Sequence, residues 1–254
     1  MKIPKSSYRI WHANRSGSTL LCQLLEDTKI AGRPNEHFTL HGESSLCEKF
    51  KVSEYRSLID KIWTIGTSEN GVFADKATAH YQAHKDTIQE LSSLKGVSMP
   101  TNYESIWQEI FPHCKHIVIV RTNKVRQAVS WWKAIRDSQW HIQGDEKVLK
   151  SEDFYKDKYN KDALKHLYSE AVLRDIANQE YLAKHRLDYI TVTYEDLEND
   201  PLRIVRQIME YIGLPPVKSL PKMRFRKIAN SVNERWVHQF KEDLQEGMDT
   251  KAWI

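Results

Sequence analysis

A run of small and basic residues follows the first apolar segment, in a pattern that suits an anion-binding turn. Residues 8–20 read YRIWHANRSGSTL, and the turn consists of Arg15, Ser16, Gly17, Ser18 and Thr19. A helix that begins here would direct its free N–H groups and its positive dipole end towards a phosphate. Glycine allows close backbone approach, hydroxyls add donors, and arginine adds a fixed cation. The alternative is a turn that only caps the helix, because Ser and Gly are common at helix N-termini.

A second arginine follows another apolar segment. Residues 116–121 read HIVIVR, which places Arg121 at a strand end. A P-loop-like kinase would carry G-x-x-x-x-G-K-[ST] at the first turn, together with carboxylates for Mg²⁺. Here Arg15 precedes Gly17, no glycine opens the turn, and an arginine ends the central strand. We therefore expect a doubly anionic ligand that binds without a metal ion. The kinase and a non-catalytic nucleotide-binding protein remain as alternatives.

Strand and helix patterns alternate along the chain and would position these turns. Short apolar segments predict buried strands at residues 8–13, 71–76, 116–121 and 188–194. Helical patterns occupy residues 17–27, 101–111, 124–137, 161–186 and 199–213; Asp200 is the expected N-cap of the last, and Gly213 ends it. This alternation predicts a three-layer α/β fold with a mostly parallel central sheet, as one domain over residues 1–254. The polar segment 141–161 predicts a mobile loop.

Composition limits the class of protein. The chain has 254 residues, of which 40% are hydrophobic and 28% charged, and a net charge of +4. This mild positive charge suits an anionic ligand and does not indicate nucleic acid. Three widely separated cysteines, Cys22, Cys47 and Cys114, argue against a disulfide framework and favour the cytoplasm. We expect neither a signal peptide nor a membrane anchor.

Several segments resemble the sulfotransferases that use 3′-phosphoadenosine 5′-phosphosulfate (PAPS). RSGSTLL resembles their 5′-phosphosulfate loop, and VIVRTNKVRQAVSWWKA resembles their 3′-phosphate motif. VTYEDLENDP also resembles a sulfotransferase segment. Three more segments are similar to the bacterial trehalose 2-sulfotransferase type, whose relatives act on other carbohydrates and lipopolysaccharide: AGRPNEHF, SWWKAIRDSQWH and RKIANSVNERWVHQF. Together these segments span roughly residues 8 to 240. The resemblance implies the sulfotransferase fold, with its P-loop-like phosphate turn.

The resemblance also implies a donor site made from both turns. Arg15 and residues 16–19 (Ser16, Gly17, Ser18, Thr19) would bind the 5′-phosphosulfate and stabilise charge on the leaving phosphate. The 3′-phosphate would be held by Arg121 and by Ser130, which lies on the following helix. Without the resemblance, Arg121 reads as a surface arginine and Ser130 as a helix-interior serine.

Three further donor contacts follow from the resemblance. Tyr194 resembles a tyrosine that contacts adenine, with a buried tyrosine under the sheet as the alternative. Arg226 and Lys227 resemble a basic segment that closes over the 3′-phosphate, although Ile228 replaces the usual glycine. A solvated basic run explains that pair equally well.

Acceptor activation requires a base within reach of a hydroxyl group. The resemblance implies Glu36 as this base, with His37 as the adjacent alternative and His80 as a weaker one. Lys76 could contact the sulfate or the acceptor. The segment ATAH follows Lys76 where the family often has a tryptophan, which leaves the acceptor open. Trp140 and at most one of the adjacent Trp131 and Trp132 could line a sugar site, and a place in the core is the alternative for the pair.

The sequence thus predicts a cytoplasmic enzyme that transfers a sulfuryl group from PAPS to a hydroxyl of a carbohydrate or glycolipid. The transfer would be in line and without a metal ion, because a sulfuryl group carries less charge than a phosphoryl group. By the same resemblance the enzyme could be a homodimer.

Overall fold

Four parallel strands form the central sheet. The structure, a computed structural model, describes residues 3–78, 81–98, 104–140, 150–221, 231–250 and 252, apart from the side chains of 81–83 and 104. The strands are β1 (Ser6–His12), β2 (Val72–Thr78), β3 (Cys114–Val120) and β4 (Tyr189–Thr193). Their order is β2-β1-β3-β4, and every pairing is parallel. All four predicted strands are confirmed, with ends shifted by one or two residues.

Helices connect and cover the strands. They are α1 (Ser18–Asp27), α2 (Leu46–Phe50), α3 (Tyr55–Gly66), α4 (Tyr81–Lys95), α5 (Glu104–Ile110), α6 (Lys124–Asp137), α7 (Lys161–Lys184), α8 (Tyr194–Asn199), α9 (Pro201–Tyr211) and α10 (Ser231–Gln245). The five predicted helices correspond to α1, α5, α6, α7 and α9. At α9, the Asp200 carboxylate accepts a hydrogen bond from the Arg203 N–H, and Gly213 follows the helix with φ of 75°. Five helices, α2, α3, α4, α8 and α10, were not predicted from the sequence.

Alternate residues of each strand pack on opposite faces of the sheet. Tyr8 and Ile10 belong to a core cluster with α1 and α9, which cover one face. Trp11 and Val118 point to the other face, where Leu182 of α7 packs on them. Phe73 joins this second face to the core formed by α2–α5. The three-layer α/β architecture predicted from the sequence is therefore confirmed.

The order of the strands places the turns after β1 and β3 side by side. From β1 the chain passes to β2 on one side of β1, and later to β3 on its other side. Ligands of open α/β sheets bind in the crevice outside the carboxyl ends of the strands, where the direction of winding reverses. That point lies between β1 and β3, next to Arg15 and Arg121.

The segment predicted to be a mobile loop is described only in its second half, since residues 141–149 lie outside the described ranges. The remainder contains a short 3₁₀ helix, Glu152–Tyr155, whose Tyr155 is buried and donates a hydrogen bond to Asp137. The expectation that this segment is a mobile lid stays a prediction. Within the described ranges we find no helix with both the length and the apolar character that a bilayer span requires.

Candidate active site

A cleft of about 630 Å³ opens at the carboxyl ends of β1 and β3. Most of the predicted site residues line it: Arg15, Gly17, Ser18, Thr19, Glu36, Arg121, Ser130 and Tyr194. Lys76 and Trp140 line it as well. Residues that are far apart in the sequence are thus brought to one cavity by the sheet topology.

The turn after β1 presents backbone donors to this cleft. Gly17 is the N-cap residue of α1, with φ of 88°, and α1 has no side-chain cap. The first helical turn therefore leaves the N–H groups of residues 18–20 without intrahelical partners. This arrangement favours an anion site over a turn whose serines only cap the helix.

Ser16 differs from its neighbours in the turn. Its N–H donates to the carbonyl oxygen of Ala13 at 3.3 Å, so this donor is already used. Its hydroxyl is buried and has no hydrogen-bond partner among the described residues. Ser18, in contrast, lines the cleft, and its hydroxyl lies 3.1 Å from Nδ1 of His12. The structure thus brings Ser18, but not the Ser16 side chain, to the cleft.

Replacement of Gly17 by Ala should weaken the binding of adenosine 3′,5′-bisphosphate at least tenfold. A Cβ atom at residue 17 would lie 2.4 Å from Cδ2 of Tyr194, and the backbone has φ of +88°, so the turn or the ring must move. Isothermal titration calorimetry measures this loss. The matched control is Gly213→Ala, because Gly213 has φ of +75° but no atom within 4 Å of its Cβ position. Equal binding by both variants would contradict the importance of this close approach.

Two arginines, Arg15 and Arg121, line the cleft at this turn. Arg15 donates from Nε to the hydroxyl of Ser130 at 3.1 Å and from Nη1 to the carbonyl oxygen of Trp140. Arg121 donates from Nη1 to the carbonyl oxygen of Arg15 at 3.4 Å. Its Nε is buried and has no hydrogen-bond partner among the described residues. These contacts are with hydroxyl and carbonyl oxygens, so in the described part of the chain neither cation has a carboxylate partner.

Burial acts on the charge of both arginines. Burial and the neighbouring charge of Arg121 lower the pKa of Arg15 to about 10. Burial also lowers the pKa of Arg121. Guanidinium groups remain protonated at neutral pH, so both side chains keep their charge at this cost. An anion bound between the two guanidinium groups would offset this electrostatic cost.

Tyr194 lines the cleft beside the turn that follows β1. Its ring packs against Gly17, and the guanidinium carbon of Arg121 lies 4.5 Å from its centroid. Its hydroxyl donates to Glu198 at 3.0 Å. The predicted basic pair, Arg226 and Lys227, lies outside the described residues.

Glu36 lies in the same cleft with three positively charged or ionisable partners. Its Oε1 is 3.3 Å from Nε2 of His12 and 3.3 Å from Nζ of Lys76, and its Oε2 is 3.1 Å from Nε2 of His41. Burial acts to raise the pKa of Glu36, but the contact with His12 and the charge of Lys76 outweigh it and hold the pKa below its ordinary value. Glu36 is therefore ionised at neutral pH.

Backbone contacts on two sides fix the turn that carries Glu36. The ammonium group of Lys49, on α2, donates to the carbonyl oxygens of Glu36 at 2.9 Å and Thr39 at 2.7 Å. On the other side, the N–H of Lys76 donates to the carbonyl oxygen of Asn35 at 2.9 Å. The Glu36 carboxylate is thus presented to the cleft by a turn held between α2 and β2.

The structure does not bring His37, the alternative base, to the cleft. His37 is buried, and its ring stacks on Phe73 with centroids 5.9 Å apart. Its Nε2 lies 3.1 Å from the carbonyl oxygen of Arg33, and its N–H donates to Asp75 at 3.3 Å. These contacts turn the side chain into the core and away from the cleft. His80 lies outside the described residues.

The three tryptophans proposed for a sugar site differ in exposure. Trp131 is buried, with the guanidinium carbon of Arg174 at 5.1 Å from its ring. Trp132 donates from Nε1 to the carbonyl oxygen of Lys158 at 2.8 Å. Trp140 is 40% exposed and lines the cleft. Of the three, Trp140 is the one that a ligand in the cleft can reach.

Several cleft residues were missed by the sequence analysis. His12 is the last residue of β1, and its strand-end position was a usable signal. His41 lies in an irregular segment with no motif. Lys133 and Asp137 form a buried ion pair at 2.9 Å, and their i,i+4 spacing on α6 gives no sign of the cleft that they line.

Among the described residues no group of three His, Cys, Asp or Glu side chains could hold a metal ion.

Comparison with known proteins identifies relatives over almost the whole chain. The model of the Stf0 sulphotransferase family matches residues 7–243. The trehalose 2-sulfotransferase of Mycolicibacterium smegmatis is 24% identical, over 94% of this chain and 96% of that protein. The trehalose 2-sulfotransferase of Mycobacterium tuberculosis is 23% identical, over 93% of this chain and 94% of that protein. A solved sulfotransferase from Alicyclobacillus acidocaldarius is 14% identical, with a TM-score of 0.48, over 94% of this chain and 92% of that one.

Proposed function

The chain belongs to the Stf0 sulphotransferase family, a family of enzymes, and we propose that it transfers the sulfuryl group of PAPS to a hydroxyl group of a carbohydrate or glycolipid. The relatives over nearly its whole length are named as sulfotransferases, which supports the activity. Both named relatives act on trehalose according to their names, which makes trehalose the first acceptor to test.

Two guanidinium groups in one cleft, Arg15 and Arg121, support PAPS as the donor. Both are partly buried, and their described hydrogen bonds go to hydroxyl and carbonyl oxygens. The buried, unpartnered Nε of Arg121 is an unused donor in the same cavity. A nucleotide with phosphate groups at both its 3′ and 5′ positions would supply an anion to each. Arg15 and the first turn of α1 would hold the 5′ end, and Arg121 with Ser130 would hold the 3′-phosphate.

Glu36 is the proposed base for the acceptor. Its carboxylate is ionised and lines the same cleft as the donor residues, so an acceptor hydroxyl bound there can donate its proton to it. Lys76 lies 3.3 Å from both Glu36 and the hydroxyl of Thr19. It is therefore placed to contact the group that is transferred, between the donor loop and the base.

The remaining assignments are proposals from the resemblance. Tyr194 would contact adenine, and Arg226 and Lys227 would cover the 3′-phosphate. Cys22, Cys47 and Cys114 are free thiols, which agrees with the proposed cytoplasmic location. We also propose that residues 1–254 form one domain and that the enzyme acts as a homodimer.

The proposed donor is tested by calorimetry with adenosine 3′,5′-bisphosphate (PAP), ATP, and ATP with Mg²⁺. We expect PAP to bind most tightly, because only PAP carries both a 5′-phosphate for Arg15 and a 3′-phosphate for Arg121. Preference for ATP with Mg²⁺ would instead indicate a kinase. Radiolabelled PAPS with trehalose and a panel of sugars and lipid-linked glycans then tests transfer. Tight PAP binding without transfer to any acceptor would indicate a non-catalytic nucleotide-binding protein.

A further inference from the structure

We propose that His41 is a proton relay, which takes the acceptor proton from Glu36 and delivers it to solvent. The inference rests on the proposed function, because it concerns the proton released when the acceptor hydroxyl is sulfated. It adds a residue that neither the turns nor the strand ends of the sequence indicated.

The geometry places His41 between the carboxylate and the mouth of the cleft. Its Nε2 lies 3.1 Å from Oε2 of Glu36, within hydrogen-bond distance. The His41 side chain is 56% exposed, whereas that of Glu36 is 19% exposed. Both residues line the cleft. A proton that reaches Glu36 therefore has one short step to a group in contact with bulk water.

The two oxygens of Glu36 have different surroundings. Oε1 faces His12 and Lys76, which are both buried behind it. Oε2 faces only His41 among the partners described for this carboxylate. A proton on Oε1 would remain enclosed, whereas one on Oε2 can leave. Oε2 is therefore the oxygen from which the proton can leave Glu36.

The charges around the pair favour onward transfer. Behind Glu36 lie His12 of β1 and Lys76 of β2, while Lys49 of α2 holds the carbonyl oxygen of the same residue. The contact with His12 and the charges of Lys76 and His41 outweigh burial and hold the pKa of Glu36 below its ordinary value, so a proton does not rest there. Glu43, on the other side, accepts a hydrogen bond from the backbone N–H of His41. Imidazole accepts and releases protons near neutral pH.

The step balances as follows. The acceptor oxygen forms a bond to the sulfur of PAPS, and the bond between that sulfur and the 5′-phosphate oxygen breaks. The leaving group is PAP, which keeps the electron pair of the broken bond. The acceptor proton passes to Oε2 of Glu36, then to Nε2 of a neutral His41 that carries its own proton on Nδ1, and finally from the resulting imidazolium to water.

The test measures PAP release from PAPS as a function of pH, both with trehalose and with water as the acceptor. In His41→Gln, kcat should fall by about tenfold to a hundredfold, and the shape of the wild-type pH profile should change because the group that exchanges the proton is lost. Added imidazole should restore activity to His41→Ala, because the side chain is exposed at the cleft mouth.

A matched control is His238→Gln. His238 is also an exposed histidine next to a glutamate, with Nδ1 3.5 Å from Oε1 of Glu242 on α10. This variant should retain the wild-type kcat and pH profile. An unchanged kcat and profile in His41→Gln would overturn the relay, and so would a lower kcat with an unchanged profile and no rescue by imidazole. Failure of the wild type to release PAP at any pH would instead overturn the proposed function itself.

Discussion

Replacement of Glu36 by Gln should lower kcat for sulfuryl transfer by about a hundredfold to ten-thousandfold, the usual contribution of a general base. The glutamine has the same shape but cannot accept the acceptor proton. PAP affinity should stay at the wild-type value or rise slightly, since the change removes a negative charge beside Lys76 in a cleft that binds anions. Initial rates with radiolabelled PAPS and calorimetry with PAP measure the two quantities separately.

A lower kcat at unchanged PAP affinity distinguishes the loss of a base from damage to the fold or to the donor site. A variant that failed to fold would lose both, and a variant with a damaged donor site would lose affinity first. Glu54→Gln is the control, because Glu54 is an exposed residue outside the cleft and the substitution changes the net charge equally. Wild-type turnover in Glu36→Gln would remove Glu36 from the proposed mechanism. A loss of turnover in His37→Gln alone, at wild-type stability, would reassign the base to His37.

The strands and half of the helices were predictable because their hydrophobic patterns are local. A buried β-branched run identifies β3, the apolar residues Tyr8, Ile10 and Trp11 identify β1, and side-chain capping by Asp200 identifies the start of α9. In contrast, α2 has only five residues and depends on burial of Leu46 and Phe50 in a core formed by later segments. The pattern of α3 was readable, since Leu58, Ile59, Ile62 and Trp63 lie on one face.

The residues of the site also differ in whether the sequence could predict them. Arg15 and Arg121 were predictable because carboxyl ends of neighbouring parallel strands meet at one edge of the sheet. Which of Glu36 and His37 faces the cleft was not predictable, because adjacent residues in an irregular turn carry no periodic signal. Tertiary contacts set this, namely Phe73 stacking on the His37 ring and Lys49 holding the turn. His41 contacts Glu36 from the same irregular segment, so the role proposed for it also required the structure.

Replacement of Arg121 by Ala should weaken PAP binding by about a hundredfold and leave the affinity for adenosine 5′-phosphate nearly unchanged. The difference between these ligands is the 3′-phosphate, which we assign to Arg121. Loss of a partly buried cation that pairs with a phosphate costs roughly 3 kcal/mol. Calorimetry with PAP, and competition by adenosine 5′-phosphate, measure both affinities on the same protein.

Arg121 also contacts the turn that should bind the 5′ end, so the two effects must be separated. Its Nη1 donates to the carbonyl oxygen of Arg15, and its guanidinium stacks on Tyr194. Arg121→Lys keeps the charge without the planar fork, and should therefore bind PAP with intermediate affinity. Arg203→Ala, at an arginine that is 52% exposed and paired with Asp196, should bind both ligands as the wild type does. If Arg121→Ala weakened both nucleotides equally, Arg121 would support the 5′-phosphate turn rather than read the 3′-phosphate, and the distinction between PAPS and ATP would have to come from another residue.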